Sequence, residues 1–371
     1  MAVSALVDSN EREKIFLSFN LKCLFYAGLW PNSNWSKIKK ALYKIYEGLL
    51  HILSFKLIII TAIGSYQHRN DIIVVLSSCD KYLVAYNYVL KTIFFIINRE
   101  KLKILITEIS YSDDKIDEKR IKQMIIYVVI MATLTTTLSG IFSCFSLYNG
   151  EMTIEAWMPF DPMKSTLNLF LATQILIIDF LVPCLYRGIA MQGIVCSIIM
   201  YICDQLVELQ DRIKKIKYSP EYESAMRAEF KEILKKHVRM IRYSNLMTNI
   251  FKEYFLIQNL AVTMELCVNA LMISSVDLKE ITLLSSFVAF LFIALINAYI
   301  YSYLGTELII QSHGIALAAY ESTWTSWPVD LQKDLLIVIT VAQKPLELNA
   351  AGITTMSLQT YSQVKSYLDC S

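Results

Sequence analysis

Seven apolar stretches are spaced along the 371 residues, and each is long enough to predict a helix across a bilayer core of ~30 Å. They are Leu42–Ser65, Ile72–Ile97, Met124–Leu147, Leu167–Ile199, Tyr254–Ser275, Ile281–Tyr303 and a weaker one, Ala350–Ser371. Three of the predicted helices overrun their spans. After Ile199, apolar residues recur at helical spacing at Leu206, Leu209, Ile213 and Ile216, until Tyr218-Ser219-Pro220 breaks the pattern. A second helical pattern carries Ile233, Leu234, Val238, Ile241 and Leu246 into the fifth span. The sixth stretch stays apolar to about Tyr320. Pro328 then suits the first turn of a new helix, Val329–Gln343, with Asp330 at its positive end and Lys344-Pro345 stopping it. That helix is too short to span and apolar on nearly every side, so it wants burial all round and invites association with other subunits. The last stretch is too polar to face lipid, which suits a helix lining water; the plainer alternative is a surface helix.

Charge orients these elements. About 26 of the 35 Lys and Arg lie in the N-terminal segment and in the second, fourth and sixth gaps, whereas the first, third and fifth gaps hold only Arg69, Lys164 and Lys279. Cytoplasmic loops retain positive charge during insertion. The N-terminus is therefore expected inside and the C-terminus outside, the opposite sense to a G-protein-coupled receptor. The fold class predicted is an all-α membrane protein with seven transmembrane helices and a cytoplasmic helical bundle. Its parts are an N-terminal segment (1–41), spans one to four (42–199), cytoplasmic extensions (200–253), spans five and six (254–303), a cytoplasmic anchor region (304–349) and a last helix (350–371).

Composition adds exclusions. At 55% hydrophobic the chain is too apolar for an ordinary soluble domain. No signal peptide is expected, and the first span is expected to act as its own insertion signal. The eight cysteines lack C-x-x-C pairing and read as small buried apolar residues. The four histidines, His51, His68, His237 and His313, show no metal-ligand spacing. No phosphate loop, nucleophile constellation or nucleic-acid patch is found, so neither an enzyme, a cofactor nor a nucleic-acid partner is expected. Asp179, Arg187 and Glu265 lie within apolar spans, where burial unpaired is costly, and pairing between helices or a polar contact to a ligand both answer that cost.

The stretch Tyr301–Gly352 carries Tyr303, Gly305, Ser312, Tyr320, Trp324, Lys333-Asp334-Leu335-Leu336, Pro345-Leu346, Leu348, Ala351 and Gly352. In that order it resembles the C-terminal third of the insect odorant receptors. Ala156-Trp157-Met158-Pro159-Phe160-Asp161 and Tyr201–Ile216 resemble two further elements of that family. The resemblance implies a tuning subunit that joins a shared odorant co-receptor in a heterotetramer and gates a non-selective cation channel in the plasma membrane of an olfactory neuron dendrite. It implies that Tyr320, Trp324, Leu331, Leu335, Leu336 and Ile339 belong to the anchor between subunits, and that the seventh span lines the pore. There Thr355, Gln359, Ser362, Gln363 and Ser366 offer oxygens to a hydrated cation, with no acidic ring to impose strong valence selectivity. Family members usually continue past the position of Ser366 with an aromatic run, so a shortened terminus is expected here.

The resemblance also places a pocket for a small volatile hydrophobic ligand among the second, third, fourth and sixth spans. Aromatic and aliphatic positions on shared helical faces there are Tyr82, Leu83 and Tyr86; Leu134, Thr135, Leu138 and Phe142; Phe170, Thr173 and Ile177; and Phe287, Phe290 and Leu291. For each, ordinary helix packing is the competing reading. A gustatory-type receptor of the same architecture remains an alternative, and a transporter a more distant one, since no internal repeat is visible. The co-receptor itself resembles this family with a much longer second cytoplasmic loop than the Tyr201–Lys252 gap.

Overall fold

A computed structural model describes residues 15–362, apart from 33–34, 71, 113, 115–117, 153 and 276–280. The helices are α1 (Ile15–Tyr26), α2 (Lys37–Gln67), α3 (Ile72–Ser110), α4 (Glu118–Asn149), α5 (Thr166–Phe180), α6 (Tyr186–Lys215), α7 (Glu223–Ser275), α8 (Ile281–Glu321) and α9 (Val329–Ala342). Local chemistry sets their ends. Ser165 caps α5 by accepting from the Asn168 amide at 3.2 Å. Pro220 and Pro328 stand at the breaks before α7 and α9 where the sequence placed them. α1, inside the segment read as a plain N-terminal tail, was not anticipated.

Among the described residues, five helical segments are long and apolar enough to cross a membrane: Lys37–Gln67, Lys119–Asn149, Thr166–Lys215, Pro220–Ser274 and Leu291–Glu321. The helix expected in the second stretch is present as α3, with Asp80, Lys81 and Lys91 within it. The C-terminal part of the expected seventh span, residues 363–371, lies outside the described residues. Apolar side chains also face outward. α2 buries Leu50, Leu57 and Ile60 yet leaves Ile45, Leu49, Ile52 and Ile59 exposed, which is a lipid-facing surface rather than a water-facing one.

The chain divides into two compact units. The first comprises residues 1–99, 122–194 and 257–297. Its core packs Leu57, Ala85, Tyr88, Val89, Val128, Leu176, Cys184 and Ile189 together. Asp179 meets Lys56 at 2.6 Å, so interhelical pairing accounts for that intramembrane charge. Arg187 is fully buried, donating to the Ala27 carbonyl at 2.8 Å and lying 3.2 Å from Nδ1 of His51, so it is held by polar groups rather than by an acid. Between α5 and α6 the helix widens into one π-turn, Leu181–Leu185, around Pro183, whose carbonyl accepts from Ser54 Oγ at 3.3 Å.

The second unit comprises 100–121, 195–256 and 298–371. Polar links tie its helices to one another. Asp114 accepts from the Tyr201 hydroxyl at 2.5 Å and from Arg239 at 2.6 Å, with Lys236 at 3.3 Å. Burial pushes this carboxyl up, but the Tyr201 hydrogen bond and the two cations together outweigh it and hold it below the usual carboxylate range. Arg120 bridges Asp204 and Glu307, and Arg227 pairs with Asp330 in the first turn of α9. α9 buries Leu331, Leu335, Val338 and Ala342, a single helical face.

The segment after α9 departs from the expectation. In place of a helix from Ala350, two short strands, β1 (Asn349–Ala350) and β2 (Thr354–Thr355), pair antiparallel with Asn349 opposite Thr355. Ala351 and Gly352 turn with φ of 53° and 81°. Helix resumes only at residues 358–362. α8 holds this piece: Thr306 Oγ1 accepts from the Leu358 amide at 2.8 Å, and Ser312 Oγ from the Leu346 amide at 2.9 Å. Gly305 has no room for a Cβ, because the backbone carbonyl of Met356 lies against it.

Candidate functional site

The first unit encloses a cavity of about 120 Å³. A cavity of about 150 Å³ holds a benzene-sized molecule, so this one suits a small volatile. Walls come from α3 through Val84, Asn87 and Tyr88, and from α4 through Thr135, Leu138, Ser139 and Ser143. α5 adds Thr173, Leu176, Ile177 and Phe180, and α6 adds Gln192. α7 supplies Gln258, Glu265 and Asn269, while α8 supplies Ile293, Ala294 and Asn297. Apolar side chains form the body, and a few polar groups converge on it, as in small-molecule sites generally.

The polar groups are ordered by their own bonds. Thr135 donates to the Met131 carbonyl at 2.6 Å, Ser139 to Thr135 at 2.9 Å and Thr173 to Leu169 at 2.8 Å. Gln192 donates to Asn297 at 3.1 Å, and Lys91, buried beside the cavity, donates to Gln258 Oε1. Asn269 donates to the Glu265 carbonyl at 2.8 Å. Glu265 is 8% exposed and lies within electrostatic range of Lys91.

Of the residues named from sequence for a pocket, the structure brings Thr135, Leu138, Thr173 and Ile177 to this one cavity. Tyr82 and Tyr86 turn toward α2, their hydroxyls 2.8 Å from Ser65 and 3.3 Å from Thr61. Leu83, Leu134 and Leu291 are half-buried and Phe170 is exposed, none of them at the cavity. The side chains of Phe142, Phe287 and Phe290 lie outside the described residues. The sequence reading missed Asn87, Gln192, Gln258 and Asn297, and named Glu265 only as an intramembrane charge open to interhelical pairing or to a ligand contact. The available signal was polarity inside an apolar span: Gln258, Glu265 and Asn269 recur at seven and four residues, one face of α7.

The other predicted sets are placed as follows. Leu331 and Leu335 are buried within the chain, Trp324 and Ile339 half-buried, and Tyr320 and Leu336 exposed. Thr355 lies on β2 rather than on a helix, so the helical register assumed for it does not hold. Gln359 and Ser362 are exposed on the short helix that follows, and Gln363 and Ser366 lie outside the described residues.

A helical membrane protein with an internal, mostly apolar cavity is the class that these features define. The model of the 7tm Odorant receptor family matches residues 81–367, and the chain belongs to that family, whose members are ion-channel receptors rather than enzymes. The chain is 26% identical over 138 residues to Odorant receptor Or2 of Anopheles gambiae and 30% identical over 134 residues to Odorant receptor 30a of Drosophila melanogaster. Those matches span 36% and 35% of the relatives' lengths. The fold is that of the insect olfactory receptor OR5 from Machilis hrabei, solved in complex with eugenol: TM-score 0.76, 17% identity, 96% of each chain covered.

Proposed function

We propose that this chain is a ligand-binding subunit of an odorant-gated, non-selective cation channel, assembled with a co-receptor subunit in the plasma membrane of an olfactory neuron. The observation that carries the reading is the mostly apolar cavity of about 120 Å³, the scale of one small volatile, in a member of this family. A receptor of the same fold holds eugenol, which supports a small-molecule ligand here. The charge asymmetry between alternate loops supports an N-terminus inside and a C-terminus outside. The unburied side of α9, with Leu336, Ile337 and Val341 exposed near Tyr320 in sequence, supports a subunit contact of the anchor type. Gln359 and Ser362 are the described polar positions proposed to face permeating ions.

Whole-cell recording from cells expressing the chain with the co-receptor, across a broad volatile panel, tests this. An inward cation current that needs both subunits is the expected result. Silence across the panel, with both subunits at the cell surface, refutes it.

A further inference from the structure

We infer that a groove at the start of α2 is a binding site for one anionic phospholipid. The inference goes beyond the channel reading and borrows from it only the side of the membrane. The groove is open, about 320 Å³ in volume, and five aromatic side chains line it together with Lys39 and Leu42. Its aromatic wall is fixed in place. Phe25 stacks on Tyr43 with ring centroids 5.2 Å apart and meets Trp35 edge-on at 5.4 Å. The Tyr43 hydroxyl donates to the Phe25 carbonyl at 2.9 Å and accepts from the Trp30 amide at 3.2 Å. The Tyr46 hydroxyl donates to the Tyr26 carbonyl at 2.6 Å. These two phenols spend their protons on backbone, so their rings are left as rigid apolar faces.

Two features select the occupant. The first is charge. Lys37, Lys39, Lys40 and Lys44 are exposed, and none of them pairs with an acid among the described residues. Glu47, the acid that follows on α2, is already engaged by Arg99 at 2.9 Å. Lys39 reaches the groove itself. The second feature is continuity. Ile38, Leu42, Ile45, Leu49 and Ile52 are all exposed and recur at four and three residues, a single face of α2, and Leu42 also lines the groove. At 1.5 Å per residue this stripe runs about 21 Å, more than half of the ~30 Å bilayer core. A phospholipid matches each part: its phosphate the lysines, its glycerol region the rings, one acyl chain the stripe. Aromatic side chains settle at that depth of a membrane, and anionic lipids of the cytoplasmic leaflet are drawn to such lysines. An extended peptide could meet the lysines, but following the stripe would leave its backbone amides unsatisfied in hydrocarbon. A zwitterionic lipid brings a cation of its own to a site that is already positive.

The test titrates the full chain in detergent micelles with phosphatidylglycerol or with phosphatidylcholine and counts bound lipid by native mass spectrometry. Micelles have no inner and outer face, so the result is independent of topology and of any odorant response. One phosphatidylglycerol per chain is expected to bind ahead of phosphatidylcholine. Lys39→Gln is expected to weaken it roughly fivefold, the worth of one lysine beside an anionic lipid surface. Lys231→Gln, at an exposed lysine of α7, is the control and is expected to leave binding unchanged. Trp35→Ala removes one ring of the groove and is expected to weaken binding as well. Lys39→Gln, a change at an exposed position, keeps the test decisive if Trp35→Ala does not fold. Equal binding of the two lipids, or equal losses from Lys39→Gln and Lys231→Gln, overturns the site and leaves the groove to a protein partner. Undiminished binding by folded Trp35→Ala overturns the groove as the seat of the lipid.

Discussion

Asp114 is the most heavily loaded charge of the second unit, and neutralising it has a calculable effect. Its side chain is 5% exposed and faces Tyr201, Arg239 and Lys236 at 2.5, 2.6 and 3.3 Å. Asp114→Asn preserves shape and leaves an oxygen for the Tyr201 hydroxyl, but removes the charge. Breaking a buried ion pair by neutralising one partner costs about 3–5 kcal/mol. Two features reduce that figure. Lys236, only 6% exposed, keeps Glu208 at 2.8 Å, and Arg239 is one-third exposed and can be solvated. A loss of about 2 kcal/mol is therefore expected, a fall of about 3 °C in melting temperature. Fluorescence-detected size-exclusion melts of detergent-solubilised protein measure it. The pH dependence gives a second check. A carboxyl whose folded pKa lies below its unfolded value of about 3.9 contributes stability that is fully present above that value and lost as pH falls through the folded one. The gap between wild type and Asp114→Asn should be constant from about pH 6 to 8 and close below about pH 4. An Asn variant as stable as wild type at neutral pH, or a gap that widens in acid, refutes the reasoning.

Gly305→Ala places a methyl against the Met356 backbone, which cannot rotate away as a side chain would, and is expected to cost about 1–3 kcal/mol in the same melts; an unchanged melt would show that the α8–hairpin contact yields freely. Leu336→Glu with Ile337→Glu alters only exposed positions of α9, so the chain's own melt should move by no more than about 0.5 kcal/mol. Co-purification with the co-receptor is expected to be lost, and undiminished co-purification would remove that face from the subunit contact.

Elements governed by local chemistry were legible in the sequence. The breaks at Ser219-Pro220, Pro328 and Lys344-Pro345 come from residues whose backbone permits little else, and the structure puts helix ends at each. The β1–β2 turn was not legible, because Ala351-Gly352 lacks the Asn-Gly signal of tight hairpins and the polar run after it reads equally as a helix. Its cause is tertiary: Gly305 of α8 leaves room for the Met356 carbonyl, and Thr306 and Ser312 accept the Leu358 and Leu346 amides. The cavity was legible on α4 and α5, where apolar and hydroxyl side chains share the inward face. On α3 the choice of aromatic side chains selected Tyr82 and Tyr86, which find hydroxyl partners on α2, while the inward face is Val84, Asn87 and Tyr88. Searching for greasy residues passed over the amides that line one wall, and α7 was left out because the resemblance placed the pocket among the second, third, fourth and sixth spans.

The π-turn at Leu181–Leu185 carries one residue more than an α-helical turn would, and each residue of an α-helix advances the side chains by about 100°. Upstream of it stand Thr173, Ile177 and Phe180, downstream Gln192 and the buried Arg187. The wider turn absorbs that extra residue, so a one-codon deletion there would leave an ordinary α-helical turn with the downstream side chains near their present phase, whereas the same deletion within the regular helix to either side would swing them by about 100°. Among receptors sharing this geometry, the joint is therefore the place where the chain can change its number of letters without recasting the chamber.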